Sequence, residues 1–134
     1  MHLLMQIALV ALGSAMGGLA RWGVSVGVGR WLGSGFPYGT LLINVSGSLF
    51  LGWFSTILAE KMVQSEASWI RADDLRLMLA VGFTGAYTTF STFEYETYSL
   101  LRDGDGLLGT AYIFLSLFVG LLAVRAGVFL ARWE

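Results

Sequence analysis

The sequence predicts an all-α membrane protein with four transmembrane helices, the third broken near its middle. Three observations lead there. Of 134 residues, 56% are hydrophobic and 13% charged, with a mean hydropathy of +0.71, too apolar for an ordinary water-soluble domain. The apolar residues fall into runs near the 20 or so needed to cross a bilayer, giving expected spans at 3–28, 40–59, 75–101 and 107–130 within one domain, 1–134. Within the third run, Gly82 to Phe93 is crowded with glycines and threonines, which disfavour a continuous helix.

The first run carries no charge between Leu3 and Ala20. It lacks the basic start of a signal peptide, because the first cationic side chain, Arg21, follows the apolar stretch. Gly13 with Gly17, Ser14 with Gly18, and Gly23 with Gly27 are small-xxx-small pairs that let helices approach closely. The sequence Gly33-Ser34-Gly35-Phe36-Pro37-Tyr38-Gly39 holds the only proline and reads as the turn into the second span.

Along the second span Thr40, Asn44 and Ser48 recur every four residues, which places three hydrogen-bonding side chains on one helix face. Such a stripe suits a polar pathway or plain helix association. Charge then gathers between Glu60 and Arg76. This is the expected aqueous loop, with room for a short interfacial helix near Trp69.

The third span enters the glycine- and threonine-rich stretch and continues past Glu94 and Glu96 to Leu101. A break there frees backbone carbonyls and amides, tolerated at membrane depth only where protein buries them or a cavity is lined by them. After a short turn, Arg102-Asp103-Gly104-Asp105-Gly106, the fourth span places Tyr112, Ser116 and Gly120 at four-residue spacing. Most of the tryptophans fall near expected span ends, as in an interfacial belt.

An even number of spans puts both termini and the Glu60–Arg76 loop on one side. Lys61, Arg71, Arg76 and Arg132 lie there, against Arg30 and Arg102 opposite. So slight a cationic bias predicts insertion in either orientation and an antiparallel homodimer with its axis in the membrane plane. At that axis the two breaks would meet. Opposed carbonyls hold a small hard cation, or the glycines merely pack; the residues leave both open.

Some classes are disfavoured at once. There is no cysteine for a disulfide framework or thiolate metal site. A formal charge of −1 gives no sign of a nucleic-acid partner. His2 is the only histidine, and no nucleophile with a base is evident, so an enzyme is not expected.

Three stretches in order, Gly17 to Trp22, Gly39 to Gly52 and Gly82 to Phe93, resemble the fluoride channels called Fluc or CrcB proteins. The resemblance covers nearly the whole chain. It implies a dual-topology dimer in the inner (plasma) membrane, two fluoride pores, and a central structural sodium ion that is not transported. Carried over by motif, Phe90 and Phe93 are the pore phenylalanines, Asn44 and Thr40 line the same path, and Arg21 stands near its entrance. Tyr112 and Ser116 match the polar track of the fourth helix, and the carbonyls of Gly85 and Thr88 match the sodium ligands. Aromatic ring edges carry positive charge and amides donate hydrogen bonds, so the chemistry suits a small anion. Glu96 resembles a family acid, whereas Glu94, Ala86 and Tyr87 depart from the usual pattern.

Two rival readings stand beside the fluoride channel. A small dual-topology multidrug transporter would need an acid deep in its first helix, and Met1 to Ala20 has none. A non-transporting assembly subunit would use the hydroxyl stripes only to associate.

Overall fold

The computed structural model describes residues 2–62 and 71–133. Glycine and proline set the first boundaries. Helix α1 runs from His2–Leu32 and stops at Gly33, whose φ of 74° is a left-handed conformation open to glycine at little cost. Its N–H caps the helix on the Gly29 carbonyl at 3.2 Å. Pro37 then occupies the N-cap of α2, Tyr38–Ile57, so the second helix starts before the expected Thr40. Proline costs nothing there because the N–H it lacks would have no helical partner. A π-helical turn, Leu58–Met62, extends α2.

The third apolar stretch is assembled from pieces. Helix α3, Ala72–Leu75, widens into a π-helical segment, Arg76–Thr84, followed by one turn, α4, Gly85–Tyr87. Thr88 and Thr89 are extended, with ψ of 158° and 119°, before α5, Phe90–Arg102, begins. Threonine hydroxyls accompany each change of register. Thr84 Oγ1 donates to the Leu79 carbonyl five residues back at 2.9 Å, and Thr89 caps α5 by accepting from the Thr92 N–H at 3.3 Å. Helix α6, Gly106–Trp133, completes the described chain.

Glycines bring these elements to backbone contact. A Cβ at Gly13 or Gly17 would overlap the carbonyls of Met78 and Phe83, and one at Gly82 would sit 2.7 Å from the Val10 carbonyl. These contacts form a seam between α1 and the π-helical segment. Gly52 and Gly127 do the same between α2 and α6, against the Val124 and Leu49 carbonyls. A Cβ at Gly18, Gly23 or Gly27 would meet nothing within 4 Å among the described residues, so of the expected small pairs on α1 Gly13 with Gly17 is the one packed at both positions there.

The core is small, built on Ile43, Phe54, Phe93, Tyr112 and a few others, while Leu3, Leu4, Phe114, Phe118 and Leu121 are exposed. Helices apolar all round belong in hydrocarbon. Among the described residues three helical runs, His2–Leu32, Tyr38–Glu60 and Gly106–Trp133, are long and apolar enough to cross a membrane; the composite third stretch stands between the second and third of them in the chain. Arg132 near the end of α6 bonds Glu60 at 2.8 Å, which puts those two ends on one side. Trp31 and Trp133 are exposed at helix ends, but Trp22 lies well inside α1. The interfacial helix expected near Trp69 falls outside the described residues.

Candidate functional site

The interruption at Thr88 and Thr89 faces the polar stripe of α2. Asn44 meets it with both ends of its amide: Nδ2 donates to the Thr89 carbonyl at 3.0 Å and Oδ1 accepts the Thr89 N–H at 2.8 Å. A primary amide supplies both a donor and an acceptor, so it gives the Thr89 N–H the partner that the interruption removed and adds a second donor to the carbonyl of the α5 N-cap. Asn44 was expected as a donor toward an anion. Here it first holds the backbone, with one N–H left over.

This bond has a consequence for the carbonyls. In an unbroken helix the Gly85 carbonyl would accept from the Thr89 N–H, and the Thr88 carbonyl from the Thr92 N–H. Those donors go instead to Asn44 and to the Thr89 hydroxyl. Gly85 is also exposed, with open space where a Cβ would stand. Hard cations take oxygen ligands of this kind, so the main chain here is compatible with one.

Beside the interruption lies a cleft of about 260 Å³ lined by Asn44, Ser48, Thr84, Thr88, Thr89, Phe90, Phe93 and Ser116, among others. Phe90 and Phe93 both border it with ring centroids 5.8 Å apart, yet they differ. Phe93 is 8% exposed and Phe90 68%. The Ser116 hydroxyl is buried and has no hydrogen-bond partner among the described residues. Thr56, Thr97 and Ser99 each turn the hydroxyl back to the carbonyl four residues earlier, the usual way to satisfy such a group in a helix. Ser116 does not.

Phe93 leads to a second cluster. Its ring meets Tyr112 edge-on, with centroids 5.1 Å apart at 61°. The fully buried Tyr112 donates to Glu96 Oε2 at 2.8 Å, and Thr40 donates to Oε1 at 2.9 Å. Glu96 also borders a wider cavity of about 520 Å³, together with Ser25, the turn 33–39, Ser99, Asp103 and Asp105. The Phe93–Tyr112–Glu96 cluster therefore stands between cleft and vestibule. At the rim Asp103 is held by Arg102 at 2.7 Å, and that hydrogen bond lowers its pKa below the usual carboxylate range.

Thr40, Asn44, Thr88, Phe90, Phe93, Tyr112 and Ser116 are thus brought together, directly or through Glu96. Arg21 is not among the residues lining either cavity; it is partly exposed on α1. Glu96 was noticed in the sequence without a role. Its partners lie 56 and 16 residues away, and the only sequence signal was an uncompensated acid within an apolar stretch.

A helical chain with an apolar exterior and a cleft of hydroxyls, an amide and aromatic rings has the build of a membrane channel or carrier. The chain belongs to the CrcB family: residues 8–128 match the model described as CrcB-like protein, Camphor Resistance (CrcB). Its relatives include proteins named fluoride-specific ion channel FluC. That of Acidobacterium capsulatum is 46% identical over 126 residues, covering 92% of this chain and 94% of its own. That of Nitrobacter winogradskyi is 40% identical over 126 residues, 94% of each chain. The Methylococcus capsulatus relative is 43% identical over 128 residues, 96% of this chain but 53% of its own, so the chain spans about half the length of that relative.

Proposed function

We propose that this chain is a fluoride-selective channel that lets fluoride leave the cell passively. Relatives carrying that name supply the substrate, and the single structural observation behind the reading is the unpartnered Ser116 hydroxyl in the Phe90–Phe93 cleft. Fluoride is a compact, strongly hydrated anion. It requires hydrogen-bond donors to replace water, and Ser116, the remaining Asn44 N–H and positive ring edges offer them. Hydrogen fluoride crosses a membrane as a neutral acid and dissociates inside, so an anion exit would relieve accumulation.

The active form in this reading is an antiparallel dual-topology homodimer in the inner membrane, with two pores. The slight cationic bias between the two sides and the exposed Gly85 and Phe90 support it. Gly85 and Thr88 carbonyls from both copies would hold a structural sodium ion at the axis. The ion would supply fixed positive charge that keeps opposed carbonyls together; Asn44 and Thr89 keep those carbonyls out of the helical bonding pattern.

Fluoride efflux from liposomes containing the purified chain tests the function. Rapid fluoride release with chloride retained is expected. Equal release of both ions, or none of either, would sink the proposal.

A further inference from the structure

The three residues from Tyr87 to Thr89 are each held by α2, on neighbouring positions. Asn44 clamps Thr89 by two hydrogen bonds. Gly47 admits Thr88, whose Cγ2 occupies the place a Cβ would take. The Tyr87 hydroxyl lies 2.9 Å from Ser46 Oγ. The first holds the extended backbone directly, whereas the second and third act through side chains. The third comes from Tyr87, which with Ala86 and Glu94 is one of the three residues that depart from the family pattern.

The direction of the Tyr87 bond follows from its neighbours. Ser46 Oγ lies 3.2 Å from the Ile43 carbonyl, and the arrangement that uses both hydroxyl hydrogens has Tyr87 donating to Ser46 and Ser46 donating to that carbonyl. The Tyr87 ring is not free to swing: it stacks on Phe83 with centroids 5.7 Å apart at 8°, Phe83 meets Phe50 at 5.9 Å, and Phe50 stacks on Phe54 at 5.6 Å. A ladder of rings thus leads from the far half of α2 to the last residue before the interruption, and a single hydroxyl pins its end.

We infer that Tyr87, through Ser46, is a positioning residue that sets where the chain leaves α4 and hence where the Thr88 carbonyl and the Phe90 and Phe93 rings stand. This rests on the channel reading above. Tyr87 is not among the residues that line either cavity, so its effect would pass through backbone placement.

The bond can be removed cleanly from one side only. Tyr87→Phe keeps the stacked ring and leaves Ser46 satisfied by the Ile43 carbonyl, whereas Ser46→Ala strands the Tyr87 hydroxyl. Removing a buried group without orphaning its partner costs little stability. The test is fluoride and chloride efflux from liposomes, alongside thermal stability in detergent, for wild type, Tyr87→Phe, Ser46→Ala and the double variant. Wild-type fluoride selectivity must first be present; its absence refutes the channel and not the positioning. Given that, Tyr87→Phe should lower the fluoride-to-chloride flux ratio by about fivefold to tenfold, the size of one hydrogen bond, at unchanged thermal stability. The double variant should be no less selective than Tyr87→Phe, because both remove one link. A wild-type flux ratio in Tyr87→Phe, or losses that multiply in the double variant, would overturn the inference.

Discussion

The two halves of the third apolar stretch are held by opposite means. Before the interruption, the π-helical segment lies against α1 with backbone on backbone at Gly13, Gly17 and Gly82. After it, α5 is tied to α2 and α6 by side chains: Asn44 to Thr89, and Thr40 and Tyr112 to Glu96. The first arrangement leaves no room for a solute and the second encloses a cleft. Hydrocarbon gives helices no hydrophobic reason to associate, so close packing of small residues is one way to hold them and hydrogen bonds are the other. Only the second leaves polar atoms to meet an ion.

The backbone seam is the more sensitive of the two. Gly17→Val would force its side chain into the Phe83 backbone, and overpacking against main chain costs about 3 kcal/mol. The expected outcome is loss of folded protein, seen as aggregation in detergent on size-exclusion chromatography; a monodisperse Gly17→Val protein with native flux would show that the seam yields.

Next in size is Asn44→Ala. It leaves the Thr89 N–H without its partner, at about 1–3 kcal/mol for a buried group stranded. Both thermal stability and fluoride flux should fall, unlike the cleft variants that follow. Phe93→Ile and Phe90→Ile remove ring edges without touching the clamp. Fluoride flux should drop at least about tenfold, equivalent to about 1.4 kcal/mol, with assembly preserved, and normal conduction by both variants would dismiss the ring-edge account.

Ser116→Ala sharpens the distinction further. Its hydroxyl has no hydrogen-bond partner among the described residues, so removal should leave stability within about 0.5 kcal/mol, while fluoride flux declines. The smallest effect is expected at Gly23, where an added Cβ would meet nothing within 4 Å among the described residues. Gly23→Ala should be neutral or stabilising by up to about 1 kcal/mol through helix propensity. A strong loss there would reveal a partner surface on α1 that the single chain does not display.

Much of this was legible in the amino-acid order, because it depends on neighbours in the chain. Apolar run length marks the spans, Gly33 and Pro37 mark a turn, and the density of glycine and threonine between Gly82 and Thr92 marks a helix that would not continue. A four-residue spacing also placed Thr40 and Asn44 on one face, and Tyr112 and Ser116 on another. The partners of those side chains were not legible. Asn44 finds Thr89 across 45 residues and Thr40 finds Glu96 across 56, and such distances close only when helices choose their crossing points.

Sequence by itself therefore determined that this chain is a membrane-spanning helical protein of the CrcB family with an irregular third stretch, since hydropathy, propensity and motif are properties of the string. Tertiary structure alone decided which groups the irregularity would spend. Packing of the helices around the third stretch made Asn44 a backbone clamp, buried Phe93 while leaving Phe90 exposed at the cleft, and left the Ser116 hydroxyl without a bond among the described residues. Each choice turns on satisfying polar atoms where water is scarce, and that depends on what happens to stand opposite.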